Sequence, residues 1–230
     1  MKHFIALFIA LSIFSCGNDK QHDFTLKGQV KGLKKGKVYL QRQQDSVMVT
    51  IDSMDVNGSS SFELHSQLAE PEILFLKLDK NDNDEGTVVF FADKGTTEIS
   101  STLKNFNFDA KIKGSKQQET LEEYLVIMSR FNDEHLNLIK NRIEGQMAKD
   151  SIGTSFETEY NKLLKRKYLY TINFAVNHAD SQVAPYLAIS EVSNTSINFL
   201  KKIYDALQDD IKTSKYGVEL KALIDERQAE

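Results

Sequence analysis

A chain of 230 residues with a formal net charge of -4, 40% hydrophobic and 27% charged residues has the composition of a globular protein with material for a sizeable core. The charge excludes nucleic acid as an electrostatic partner, and two prolines with eleven glycines exclude a linker-dominated chain. One cysteine, Cys16, excludes a disulfide framework, a Cys-x-x-Cys redox centre and a four-thiolate zinc site, and no cofactor or metal ligand set is expected.

The N-terminus opens with Lys2 and His3, and Phe4 to Phe14 is then apolar apart from Ser12. That run is shorter than the roughly 20 helical residues needed to cross a bilayer, but it has the length of the hydrophobic region of a secretory signal. Ile13-Phe14-Ser15-Cys16-Gly17 resembles a bacterial lipobox, which implies a lipoprotein signal peptide over 1–15 and acylation of Cys16 as the mature N-terminus. Two acyl chains anchor a protein stably where one is marginal. Gly17 after the cysteine, by resemblance to the sorting rule of such proteins, implies the outer membrane on its periplasmic side. The polar stretch over 16–22 is a tether.

From residue 23 the pattern has period two. "FTLKGQV", "KVYLQRQ", "SVMVTIDSM", "SFELHS", "ILFLKLD", "TVVFFAD", "TTEIS" and "FNFDAKI" read as eight short strands. Val47, Val49 and Ile51 share one face of the third, and Phe62 and Leu64 one face of the fourth. Between the strands fall "KGLKKGK", "DVNGSS", "EPE", "DKNDNDEG" and "DKG", stretches with turn chemistry. An antiparallel β-sandwich or partly open barrel over 23–113 is expected.

After "KGS" at 113–115 the signal becomes helical. The long stretch from Gln117 carries Leu121, Leu125, Met128, Leu136 and Ile139 as an amphipathic stripe, and the next, from Ser155, carries Phe156, Tyr160, Leu163 and Phe174. "SIGTS" turns between them. Three shorter helices follow, in "SQVAPYLAISEVS", "SINFLKKIYDALQDDIK" and "YGVELKALIDERQAE". The fold class is therefore α+β, the β domain being followed by an α-helical domain over 114–230.

The lipobox, then "FTLKGQVKGLKKGKVYLQ", "IDSMDVNGSSSFEL", "PEILFLKLD", "VVFFADKGTTEI" and "IKGSKQQETLEEY", resembles the uncharacterised N-terminal domain of thioredoxin-like thiol:disulfide interchange lipoproteins. "HADSQVAPYLAIS" and "LKKIYDALQDDIKTSKYGVELKALI" extend the resemblance through the mature chain. In many such relatives the segment like "YGVELKALI" leads into a thioredoxin-like domain with a Cys-x-x-Cys pair. This sequence ends at Glu230 without one, so their redox activity does not transfer.

Other stretches offer weaker chemistry. Asp79, Asn81 and Asn83 have the one-three-five spacing of a calcium loop, but its sixth position is Asp84 and its twelfth Phe90, so a polar hairpin loop is expected. Asp133, Glu134 and His135 are adjacent, and on a helix they diverge by about 100° each, a poor spacing for one metal. His135 is expected in a helical interface and His178 at a helix C-terminus, where the dipole favours it. Lys31, Lys34, Lys35 and Lys37 in "KGLKKGK" lack the spacing of a phosphate loop and read as a solvated turn. Asp45-Ser46-Val47, Asp52-Ser53-Met54 and Asp150-Ser151-Ile152 suit either Asx turns or a bacterial O-glycosylation pattern.

No nucleophile elbow, zinc-protease helix or dinucleotide loop occurs. The expectation is a non-catalytic lipoprotein of the cell envelope, a periplasmic binding or scaffolding module. Its partners are the membrane, through the lipid, and an envelope protein. Two alternatives stand beside it: an accessory to a separate thioredoxin-like oxidoreductase, and a hydrolase with carboxylates in a cleft between the two halves.

Overall fold

The structure, a computed structural model, describes residues 22–79, 86–146 and 153–229. The signal peptide, Cys16, most of the tether, the centre of the calcium-like loop and Asp150-Ser151-Ile152 lie outside the described residues.

Among the described residues eight strands make two four-stranded sheets: β1 (Phe24–Lys31), β2 (Lys35–Gln44), β3 (Val47–Asn57), β4 (Ser61–Ser66), β5 (Glu72–Asp79), β6 (Gly86–Ala92), β7 (Gly95–Thr102) and β8 (Lys111–Lys113). One sheet has the order β4-β1-β7-β8 and the other β3-β2-β5-β6. The sandwich is not wholly antiparallel, because β1 pairs with β7 in parallel, Phe24 against Gly95 through Lys31 against Thr102. The chain visits the other sheet between these two strands, so nothing forces them to run in opposite directions. Phe24, Leu26, Leu40, Leu64, Leu74, Leu76, Leu78 and Phe90 fill the space between the sheets.

Among the described residues six helices follow: α1 (Lys116–Gln146), α2 (Gly153–Asn177), α3 (Val183–Val192), α4 (Ile197–Ala206), α5 (Asp209–Lys212) and α6 (Lys215–Ala229). The start of α1 is set by Ser115, whose Oγ accepts from Gln118 N at 3.0 Å and donates to Asp93 at 3.0 Å. Gly114 precedes it at φ 94, where a Cβ would stand 2.2 Å from Thr96 O. Ile172, Ala184, Ala188, Leu200, Ile203, Leu220 and Ile224 form the helical core.

Four sequence expectations are corrected. "FNFDAKI" is mostly turn, and only Lys111–Lys113 is strand. Phe106 is buried, Phe108 is exposed, and Phe108 N and Asp109 N both donate to Asn105 O, which closes the turn. The proposed apolar face of β3 is not a core face: Val47 and Val49 are exposed and Ile51 only partly buried, on a strand that is the outer one of its sheet. On α1, Leu125 and Leu136 face solvent while Leu121, Tyr124 and Met128 are buried. One position along a helix turns the side chain by about 100°, so choosing Tyr124 moves Leu125 out of the interface. The "SINFLKKIYDALQDDIK" helix breaks at Leu207, which is extended at φ -58 and ψ 143.

Candidate functional site between sandwich and helices

The strands β5 and β6 are apolar on both faces. Leu74, Leu76, Val88 and Phe90 point into the sandwich, while Ile73 and Phe91 point outward and are also buried. The outward pair packs with Leu121, Tyr124, Met128, Phe174, Val183, Leu187 and Tyr216, so the helical domain seats directly on the outer face of this sheet. Phe91, Tyr186 and Tyr216 meet edge to face, with centroids 5.4 to 5.8 Å apart. Gln118 on α1 accepts from Phe91 N at 2.8 Å and so occupies the edge of β6, and Tyr216 OH accepts from Ile73 N at 2.9 Å.

Beside this contact the two domains part into a cleft of about 950 Å³. Phe75, Val89, Tyr186 and Ile189 line its walls, with Arg42, Glu70, Glu72, Lys215 and Glu219 among its charged groups. Glu72 is buried and pairs with both Arg42 at 2.9 Å and Lys215 at 3.1 Å. Arg42 also donates to Gln67 O at 3.0 Å. Glu70 sits at the N-terminus of α6 and accepts from Lys215 N at 2.9 Å, with Gln182 Nε2 at 3.4 Å. A carboxylate there satisfies a free helical N–H and complements the dipole. Loss of solvation raises the Glu219 carboxyl above its ordinary value, with Lys215 opposing and Glu70 adding to the shift. Burial likewise raises the Tyr186 and Tyr216 hydroxyls. Ser190, the hydroxyl on the α3 wall, donates to Tyr186 O at 2.9 Å, a bond within its own helix rather than one to a base.

Residues 24–121 match the family model described as domain of unknown function (DUF4369). No curated protein matches the chain. The match agrees with the uncharacterised N-terminal domain expected from the sequence, and it runs from β1 into the first turns of α1. The segment similar to DUF4369 thus supplies Arg42, Glu70, Glu72 and Phe75, and the helices beyond it supply Tyr186, Lys215 and Glu219. The cleft is assembled from both.

The residues singled out from the sequence lie elsewhere. His135 is half-buried, its ring 5.2 Å from Tyr160, and Glu134 pairs with Arg166. His178 follows α2, its Nδ1 donates to Phe174 O at 2.9 Å, and Nε2 lies 3.7 Å from Glu123. Both positions are those of interface and helix-end histidines. Lys31, Lys34 and Lys35 are exposed, and Lys37 lies 5.5 Å from the Tyr39 ring centre. Asp45 sits in the β2–β3 turn at φ 53. Asp52 accepts from Ser53 N and from His65 N, each at 2.8 Å, and so ties β3 to β4. Among the described residues no group of three or more His, Cys, Asp or Glu could hold a metal ion, and no helix is long and apolar enough to cross a membrane.

Sequence reasoning passed over Arg42, Glu72, Tyr216 and Lys215. One signal was available: "ILFLKLD" and "TVVFFAD" are continuously apolar rather than alternating, the mark of strands covered on both faces.

Proposed function

We propose that this protein is a non-catalytic binding module of the cell envelope, anchored through an acylated Cys16 in the outer membrane facing the periplasm, with the cleft between sandwich and helices as its recognition site. The observation that carries the reading is the state of the cleft's polar groups. Glu72 is neutralised by Arg42 and Lys215, Glu70 is committed to the α6 N-terminus, and the Ser190 hydroxyl is bonded to its own helix. Phe75, Val89, Tyr186 and Ile189 then form an apolar and aromatic surface beside the polar side chains of Gln43, Gln44, Asp45 and Glu219, which suits docking of a partly apolar segment of an envelope partner. A tether over 16–22 spans at most roughly 25 Å, so the cleft would work close to the membrane surface.

Crosslinking and affinity purification of the lipidated protein from membranes test the reading. One stoichiometric partner that is lost in Tyr186→Ala is expected. Recovery of a thioredoxin-like oxidoreductase as that partner would select the accessory role, and absence of any partner would overturn the reading. Mass spectrometry should find an N-terminus at Cys16 carrying acyl chains, and an unmodified thiol there would remove the anchor. The hydrolase alternative draws on Glu219, whose raised carboxyl suits a general acid. A hydrolytic activity abolished by Glu219→Gln would favour it over the binding role.

A further inference from the structure

β3 is the outer strand of its sheet, hydrogen-bonded to β2 on one side. The ladder slips between Leu40 and Gln41, which pair with Asp52 and Thr50 and leave Ile51 without a partner on β2. Beyond the slip β3 is flanked by β4, to which Asp52 ties it. Before the slip, Val47 to Thr50 pair with Gln44 to Gln41 of β2, the first two as a two-stranded ribbon beyond the end of the β2–β5 ladder, and every residue from 43 to 50 is exposed. Val47 is 63%, Met48 43% and Val49 39% accessible. Exposed edges are ordinarily guarded by charge, proline or a covering element, because their free N–H and C=O groups template further pairing. "SVMVTI", Ser46 to Ile51, carries no charge, proline or glycine.

The two-residue turn sets the phase of this edge. Residues flanking such a turn form a hydrogen-bonded pair, so Gln44 bonds with Val47 and Arg42 with Val49, and Met48 and Thr50 direct their backbone groups away from β2. We propose that this edge pairs antiparallel with the same edge of a second copy, about a twofold axis at Val49. In that register each Met48 lies opposite Thr50 of the second copy, and four backbone hydrogen bonds close across the junction. Val49 meets Val49 on the axis and Val47 meets Ile51, apolar against apolar. The free edge runs only from Val47, after the turn, to Ile51, before β3 is flanked by β4. Moving the axis to Thr50 would set Met48 against Asp52, which is tied to β4, and moving it to Met48 would set Thr50 against Ser46 in the turn. The extent of the free edge therefore selects the register at Val49, and the product is one continuous sheet of two copies, β6-β5-β2-β3 twice over.

The full chain purified from membranes in detergent gives the test. Sedimentation at tens of micromolar should show a dimer, and Val49→Lys, which sets two ammonium groups against each other on the axis, should weaken it by at least about tenfold while leaving the circular dichroism unchanged. Val49→Cys should form an interchain disulfide on mild oxidation, whereas Met54→Cys, exposed on the same strand beyond the slip, and the unaltered chain with its Cys16 should not. A monomeric wild type, a dimer that survives Val49→Lys, or equal crosslinking at positions 49 and 54 would overturn the proposal.

Discussion

The Tyr216 hydroxyl sits in an aromatic contact and accepts the one N–H of Ile73, so a single oxygen couples α6 to β5. Tyr216→Phe keeps the ring and removes the acceptor, leaving a buried amide without a partner. The loss should be about 1–3 kcal/mol in urea unfolding, with faster hydrogen exchange at Ile73, and an unchanged midpoint would show that the bond contributes nothing. Glu72 is held by the same logic of commitment, being a buried anion between two cations. Its role was not legible in the sequence, because a glutamate beside a turn at "EPE" has the pattern of a surface residue. Burial of Glu72 follows from the packing of α6 against β5, a contact between residues about 140 positions apart in the chain.

At the scale of elements, α6 depends on a glycine for its placement. A Cβ on Gly217 would stand 2.0 Å from Ile211 O and 2.7 Å from Lys212 O, so α6 lies against the backbone of α5 where no side chain fits. Alanine gains about 1 kcal/mol of helix propensity, but displacing two backbone carbonyls costs about 1–3 kcal/mol, and the second effect wins because backbone cannot rotate aside. Gly217→Ala should lower the thermal midpoint, while Val218→Ala at the exposed neighbour should leave it nearly unchanged. The existence of seven of the eight strands was legible, from alternation in most and from continuous apolar runs in β5 and β6, and "KGS" at 113–115 marked the change to helix. The stripe on α1 was misplaced because Leu125 and Tyr124 are both apolar enough to serve. The aromatic partners Tyr170 and Phe174, rather than hydrophobicity, choose the face.

Across the whole molecule, the interface between sandwich and helices holds tyrosines that stay neutral. Burial raises the hydroxyls of Tyr124, Tyr186 and Tyr216 above the ordinary value of about 10. The unfolded chain ionises these groups first as pH rises, so it binds fewer protons than the folded chain. Stability is therefore fully present below about pH 10 and is lost above it, by up to about 1.4 kcal/mol per pH unit for each group. Urea midpoints measured between about pH 9 and 11 should fall, and Tyr124→Phe should flatten part of that slope. A flat profile would mean that these rings are solvated in the folded state. Asp23 works in the opposite direction, its carboxyl lowered by the Leu68 amide and by Lys94, so its contribution is lost as pH falls through its folded value.

The sequence by itself determined the two-part α+β organisation, nearly all the strands, and the position and type of most helices, because periodicity and turn residues act within a few neighbouring residues. Tertiary structure alone decided that β1 and β7 run in parallel, that the helices cover the outer face of β5 and β6, and that Arg42, Glu72 and Lys215 meet. Those outcomes depend on contacts between distant segments, and local pattern carries no record of which partner a buried face or a charge will find.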